Sequence, residues 1–84
     1  MAFEVKWSAE AEKGLNKLPA SIIERILLKV EQAKVNPYYF MSKLIGRPHW
    51  KLRVGDYRLL CGIDNENKIL KIHEVDHRSR IYKR

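Results

Sequence analysis

A strict alternation of apolar and charged residues opens the chain. Residues 3–7 read FEVKW, which is the period-two pattern of a half-buried β-strand. Ser8 follows at once, and a serine hydroxyl is suited to cap the N-terminus of a helix. Glu10 and Glu12 then lie where the helix dipole favours negative charge. The pattern therefore predicts a strand that leads directly into a helix.

Two amphipathic segments follow this start, separated by Pro19, which ends or redirects a helix. The first carries a narrow apolar stripe of Ala11, Leu15 and Leu18. The second is predicted to run from about Ala20 to about Val35, because the residue before Pro37 avoids helical geometry. Its predicted buried face consists of Ile22, Ile23, Ile26, Leu27, Val30 and Ala33. The two helices should form an antiparallel hairpin on one face of a sheet.

Strands dominate the rest of the chain. Residues 37–48 are predicted to be an irregular connection, anchored by Tyr38, Tyr39, Phe40 and Leu44. Strands are predicted over residues 50–54, about 57–63 and 68–75, with turns at 55–56 and 64–67. The element order is then β-α-α-β-β-β. Residues 1–84 are expected to form a single α+β domain, with a helical hairpin packed on an antiparallel β-sheet.

The turn at Gly55-Asp56 carries the first functional hint. Glycine at the first central position fits a type II′ hairpin, which places Arg53 opposite Arg58 and Lys51 opposite Leu60. One face is then apolar, made of Trp50, Leu52, Val54, Tyr57, Leu59 and Cys61. The other presents Lys51, Arg53 and Arg58 together, and opposed like charges destabilise a sheet unless an anion neutralises them. The alternative is a solvated face on which the long side chains splay apart.

The overall charge also favours an anionic partner. Seventeen Lys and Arg residues face ten Asp and Glu residues, which gives a net charge of +7 and a pI of about 9.8. Such an excess favours nucleic acid or an acidic protein, although it also serves solubility alone. Residues 77–84, HRSRIYKR, add a second basic group. Ile81 and Tyr82 favour docking of this segment on the domain over a frayed, solubilising tail.

Several other classes of protein are not expected. Cys61 is the single cysteine, which excludes an intramolecular disulfide or a cysteine-based zinc site. The N-terminus lacks the apolar core of a signal peptide, and no apolar run approaches transmembrane length, so a cytoplasmic location without membrane association is predicted. No carboxylate cluster indicates magnesium, and no phosphate-binding loop is present. We therefore expect neither a metal nor a cofactor.

One motif points to zinc but is rejected. Residues 73–77, HEVDH, match the HExxH pattern, whose two histidines share a face only on a helix. The preceding residues, Ile69 to Ile72, are typical of a strand, on which these histidines would stand roughly 13 Å apart. If the protein is an enzyme, its chemical groups are cations, histidine and tyrosine.

These groups are sufficient to cut RNA. The 2′-hydroxyl of RNA is a built-in nucleophile that needs a base, an acid for the leaving 5′-oxygen and positive charge around the phosphorane. Tyrosine is a poor base at its usual pKa of about 10, but clustered cations favour the phenolate.

The same residues resemble a known family. Residues 43–46, KLIG, residues 50–59, WKLRVGDYRL, and then His77, Arg78 and Tyr82 are similar to the RelE/ParE toxin superfamily. The segment 52–58 is specific to it, whereas the helices are not, and the element order extends the resemblance over essentially the whole chain. The resemblance indicates a RelE-like mRNA interferase, the toxin of a type II toxin–antitoxin system.

The resemblance implies a mechanism and a set of residues. RelE-like toxins enter the ribosomal A site and cleave mRNA there without metal. The catalytic residues implied are Lys51, Arg53, Arg58, His77, Arg78 and Tyr82. In this scheme Lys51 and Arg53 bind the phosphate and Arg58 stabilises the transition state. Arg78 assists the leaving group, Tyr82 acts as or helps the general base, and His77 shares acid–base work.

Partners follow from the same resemblance. The RNA-binding residues implied are Lys51, Arg53, Arg80, Lys83 and Arg84. A cognate RelB-like antitoxin is expected to wrap the toxin and block its site, with the ribosome and mRNA as the other partners. Two alternatives remain: a ParE-like, non-enzymatic toxin that poisons DNA gyrase, and an inactive RNA-binding or regulatory relative.

Overall fold

A five-stranded sheet with helices on one side accounts for residues 2–77, the part of the chain that this computed structural model describes. The elements are β1 (Glu4–Trp7), α1 (Ala9–Asn16), α2 (Ala20–Ala33), α3 (Pro37–Phe40), β2 (Met41–Lys43), β3 (Trp50–Val54), β4 (Tyr57–Asp64) and β5 (Ile69–His77). The strand order is β1-β5-β4-β3-β2. Only β1 and β5 pair in parallel within this sheet. The α+β class and the helix-on-sheet arrangement are confirmed.

Ser8 caps α1 as predicted and also ties it to the sheet. The backbone N–H of Ala11 donates to Ser8 Oγ at 2.9 Å. The same hydroxyl donates to the carbonyl of His73 at 2.9 Å, and the Ser8 N–H donates to the carbonyl of Ile72 at 3.0 Å. One residue therefore fixes both the start of α1 and its position along β5.

The prediction for residues 37–48 is wrong in its first half, which contains the short helix α3 and the edge strand β2. Pro37 lies in the first turn of α3, where a missing N–H costs nothing. Strand β2 pairs antiparallel with β3, with Met41 opposite Leu52. Neither element is long enough to show a periodic pattern, so the predicted β-α-α-β-β-β order lacks one helix and one strand.

The core lies between the sheet and the helices. Its fully buried side chains include Ile26, Leu52, Leu59, Leu70, Ile72 and Cys61. Burial raises the pKa of the Cys61 thiol to about 12, so this cysteine fills the core as an unreactive thiol. The prediction that Leu27 is buried is wrong: it is 43% exposed. Leu27 lies at the margin of the α2 stripe, beside a groove along β1.

Helix α1 lies unusually close to β5. A Cβ atom added to Gly14 would lie 2.5 Å from the carbonyl oxygen of Val75, a contact that real Cβ atoms do not make. Only glycine allows this approach, which brings Ala11 and Leu15 into the core. None of the helices within residues 2–77 is long and apolar enough to cross a membrane.

We predict that Gly14→Ala lowers the free energy of unfolding by about 1–3 kcal/mol, because the helix must move away from β5. This loss outweighs the gain in helix propensity of about 1 kcal/mol that alanine brings. Urea denaturation followed by circular dichroism measures it. The control is Lys13→Ala on the exposed side of α1, expected to change stability by less than about 0.5 kcal/mol. Equal stability of the two variants would contradict the close packing.

Candidate functional site

The hairpin of β3 and β4 has the predicted register. Val54 lies opposite Tyr57 and Arg53 opposite Arg58, so Gly55 and Asp56 form a two-residue turn. Gly55 has φ +61, whereas the only non-glycine residue with positive φ within residues 2–77 is Lys68. A positive φ at the first central position alone is the feature of a type II′ turn. The turn chemistry and the pairing are therefore confirmed.

This register separates the hairpin into two faces. The side that faces the helices carries the buried residues Leu52, Val54, Leu59 and Cys61. The opposite side of β3, β4 and β5, called here the outer face, carries Lys51, Arg53 and Arg58. These three residues are called the cation cluster. Their gathering on one face is as predicted.

Within the cation cluster, Arg58 differs from its neighbours. It is 4% exposed, while Arg53 is exposed and Lys51 is half-buried. Arg58 Nη1 donates to the carbonyl of Tyr57 at 3.3 Å and to that of Gly55 at 3.5 Å. Arg53 Nε donates to the same Gly55 carbonyl at 3.4 Å, so two guanidinium groups from opposed strands converge on one oxygen. The backbone of the turn thus orients both cations.

A carboxylate borders Arg58 on the other side. Asp76 of β5 lies directly opposite Arg58, and directly opposed residues share a face. A charge taken out of water is costly unless opposite charge and hydrogen bonds compensate it. The carbonyls of Gly55 and Tyr57 supply hydrogen bonds of this kind, and the register places the Asp76 carboxylate on the same face.

The structure does not bring His77 into the cation cluster. His77 lies opposite Tyr57 in the register, and their rings make an edge-to-face contact at 5.6 Å. Tyr57 belongs to the helix-facing side of the hairpin, so the His77 ring lies on that side too. The other predicted site residues lie outside the described residues 2–77: Arg78, Arg80, Tyr82, Lys83 and Arg84.

Positive charge continues from the hairpin onto α2. Arg25 Nη2 lies 3.3 Å from the position that a Cβ of Gly55 would occupy, so its guanidinium rests against the turn. Lys29 lies one helical turn further along and lines the same groove as Arg53. The cation cluster is therefore bordered by the cations Arg25 and Lys29 of α2.

Sequence reasoning missed a pair of histidines on the outer face. The rings of His49 and His73 meet edge to face, with their centroids 5.1 Å apart. His73 was considered only within the HExxH motif, which lies on strand β5, as predicted. Burial, then His49, then Lys71 lower the pKa of His73, so its neutral form predominates at neutral pH. The spacing of the buried Ile72 and Val75, three apart in a strand, was the available signal of an irregularity there.

Comparison with known proteins places the chain in a family. A family model described as the ParE toxin of the type II toxin–antitoxin system parDE matches residues 5–82. The chain belongs to the RelE/ParE superfamily of toxins from toxin–antitoxin systems. It is 33% identical to toxin RelG of Mycobacterium tuberculosis over an alignment of 91 positions that covers all of both chains.

Solved structures of RelE toxins share the fold. A chain of the toxin–antitoxin complex RelBE2 from Mycobacterium tuberculosis matches with a TM-score of 0.86 and 28% identity, over 93% of this chain and 100% of that one. A chain of the archaeal RelE–RelB complex from Pyrococcus horikoshii matches with a TM-score of 0.81 and 28% identity, over 95% of this chain and 99% of that one. The resemblance seen in the sequence is confirmed at the level of the superfamily and its fold.

The opposed arginines lead to a stability prediction. Arg53→Gln should raise the free energy of unfolding by about 0.2–1 kcal/mol, because it removes a like charge directly opposite Arg58. The gain should shrink in 1 M salt, where charges are screened over about 3 Å. Urea denaturation at both salt concentrations measures it, with Lys13→Gln as the charge-matched control. A loss of stability in Arg53→Gln at low salt would show that Arg53 stabilises the hairpin instead.

Proposed function

We propose that this toxin is a ribosome-dependent, metal-independent endoribonuclease that cleaves mRNA in the ribosomal A site and thereby inhibits translation. The observation that supports it most is the convergence of Arg53 and Arg58 across the hairpin, beside Lys51 on the same face. Such a cluster costs stability, and a bound phosphodiester would neutralise it. Membership of a superfamily of toxins from toxin–antitoxin systems also favours a toxin function of this kind.

In the proposed reaction, the 2′-oxygen of the RNA attacks the adjacent phosphorus and the bond from phosphorus to the 5′-oxygen breaks. The 2′-hydroxyl gives up its proton to a base, and the leaving 5′-oxygen takes up a proton. The products are a 2′,3′-cyclic phosphate and a 5′-hydroxyl end. Negative charge grows on the non-bridging oxygens as the phosphorane forms, so fixed cations lower the barrier.

The cation cluster would supply that fixed charge. Lys51 and Arg53, the more exposed members, bind and stabilise the phosphate in this proposal. Arg58 stabilises the transition state, because its guanidinium is already desolvated and held by the turn carbonyls. A donor oriented before the reaction needs no reorganisation when the charge develops, and removing one such donor typically costs about 10²–10³ in rate.

The proton transfers are proposed for residues beyond 77, on the strength of the family resemblance. Arg78 assists the leaving group, and Tyr82 acts as or helps the general base. Arg80, Lys83 and Arg84 add contacts to the RNA backbone. We propose an indirect part for His77: its contact with Tyr57 positions the end of β5, from which these residues follow.

The proposed partners are the ribosome, mRNA and a RelB-like antitoxin. Two similar structures are toxin–antitoxin complexes, which favours such an antitoxin here. An open cationic face and a net charge of +7 suit a surface that docks on ribosomal RNA, and we place the activity in the cytoplasm, where ribosomes translate. Because phosphate contacts release counterions, added salt should weaken ribosome binding.

A ParE-like function is the second candidate, since the matching family model carries the ParE name. Such a toxin would bind DNA gyrase and leave RNA intact. The buried, oriented Arg58 favours the ribonuclease proposal, because such a cation is suited to stabilise a developing phosphorane. Gyrase supercoiling in the presence of this protein is the corresponding assay.

We predict that the protein cuts mRNA within A-site codons during translation in vitro, and only when ribosomes are present. Primer extension maps the ends. Arg58→Ala should lower the cleavage rate by about 10²–10³, as expected for loss of an oriented donor at a developing anion. Tyr82→Phe should also slow cleavage, because it removes the phenolic oxygen.

Lys13→Ala is the matched control, since it removes an exposed cation from α1 and not from the cation cluster, and it should cut at the native rate. Circular dichroism checks that each variant is folded. Intact mRNA with the native protein, together with inhibited supercoiling, would replace this proposal with the gyrase-binding one. Unchanged cleavage by folded Arg58→Ala would overturn the role given to Arg58.

A further inference from the structure

The histidine pair on the outer face depends on a bulge in β5. Leu60 pairs with Glu74, but the next residue of β4, Cys61, pairs with Ile72, so His73 has no partner in the register. Both Ile72 and Val75 are buried in the core although they are three residues apart. The two residues between them, His73 and Glu74, are therefore turned to the outer face. Bulges often redirect a side chain next to a functional site.

A hydrogen bond from Ser8 holds the bulge in place. Its extra residue leaves the carbonyl of His73 outside the regular ladder, and Ser8 Oγ donates to that carbonyl at 2.9 Å. Ser8 is in turn held by its place at the start of α1. The packing of α1 on β5 therefore fixes the backbone of His73, and with it the position of the ring.

A glycine makes room for the two rings to meet. A Cβ atom on Gly62 would lie 2.9 Å from Nε2 of His73, closer than such contacts occur. His49 immediately precedes β3, in which Trp50 pairs with Cys61, so the same register places His49 beside Gly62. The two imidazoles therefore approach each other across β4, over the one position without a side chain.

The surroundings of the pair are rich in positive charge. Lys51 lies two residues beyond His49 on β3, and Lys71 lies two residues before His73 on β5, both on the outer face. The charged groups near the pair on this face are Lys6 of β1, Lys51 of β3, Asp64 of β4, and Lys71 and Glu74 of β5, and Arg47 precedes His49 by two residues. Lysines thus outnumber carboxylates, and an anion that reaches the rings meets these cations as well.

The position of the pair defines what it is able to contact. Two residues along a strand span about 7 Å and four span about 13 Å. Gly62 lies four residues from Arg58, so the imidazoles do not reach a phosphate held by Arg58. An RNA strand that crossed the outer face past Lys51 would bring another of its groups within reach of the imidazoles.

We propose that His49 and His73 form a second phosphate-binding subsite, which takes a neighbouring phosphodiester of the RNA strand and binds it more tightly as the pH falls. The inference rests on the proposed function for the identity of the ligand. Without an anion, burial, then His49 and then Lys71 lower the pKa of His73. A bound phosphate favours the protonated imidazole, so proton uptake and phosphate binding strengthen each other.

The test uses the full chain and a short single-stranded RNA made non-cleavable by 2′-O-methyl groups. Fluorescence anisotropy gives Kd from pH 7.5 to pH 5.5. The native protein should bind about tenfold more tightly at the lower pH, the gain typical of one charge-assisted hydrogen bond. The double variant His49→Gln/His73→Gln should keep the affinity at pH 7.5 and lose most of that gain.

Two further measurements guard against a misfolded variant. Gly62→Ala keeps both imidazoles but displaces the His73 ring, so it should also reduce the gain. NMR of the native protein should show the imidazole signals of His73 titrating at higher pH when the RNA is present. Lys13→Gln is the charge control and should bind with the native pH dependence.

The proposed subsite is overturned if the folded double variant and the native protein show the same pH dependence, or if RNA leaves the titration of His73 unchanged. Its failure is separable from that of the proposed function. If the pH effect is absent and cleavage in the A site is intact, only the proposed subsite is ruled out. A pH-dependent RNA contact in a protein that cuts no mRNA during translation removes only the proposed activity.

Discussion

The turn at Gly55–Asp56 fixes the register of β3 against β4, and with it the face of the sheet on which every side chain of the hairpin lies. Glycine is required there because its φ of +61 is strained for other residues. Since side chains alternate between faces, a slip of one residue would carry Arg58 into the core and Leu59 out of it. The same turn offers the Gly55 carbonyl to both Arg53 and Arg58. Core and candidate site therefore depend on one local geometry.

The two faces of the sheet have opposite energetic roles. On the helix side, fully buried Leu52, Leu59 and Ile72 supply the hydrophobic stabilisation. On the outer face, opposed arginines and a nearly buried guanidinium work against the fold unless they are compensated. This division is expected of a small domain that keeps a charged working surface: the core on one side offsets the cost of the cluster on the other. Gly14 and Gly62 contribute to the two faces through their lack of a side chain. Gly14 lets α1 approach the Val75 carbonyl, and Gly62 leaves space for the His73 ring.

The sequence was most informative where a local pattern is long or a turn has strict requirements. The alternation over residues 3–7, the cap at Ser8 and the register set by Gly55 were predicted because each depends on neighbouring residues alone. The edge strand β2 was missed because three residues show no period and its partner is distant along the chain. Leu27 was assigned to the core because the helical pattern does not show how far the sheet extends beneath α2.

The candidate site was likewise predictable only where it depends on neighbouring residues. The gathering of Lys51, Arg53 and Arg58 was predictable from the turn, whereas the burial of Arg58 depends on β5, whose pairing brings Asp76 alongside. The His49–His73 pair requires a bulge, a glycine on the intervening strand and a residue just before β3. No local pattern brings these three together. They become visible only when the strands are in register.

The central claim is that the outer face acts on RNA through the RNA's own 2′-hydroxyl. The most direct test is a ribosome programmed with mRNA that carries a single 2′-deoxynucleotide on the 5′ side of the mapped cleavage point. We expect cleavage at that bond to fall by at least about 10²-fold, because the attacking oxygen is missing, while the all-ribose mRNA is cut normally. Equal cleavage of the two mRNAs, or no cleavage of either, would contradict it.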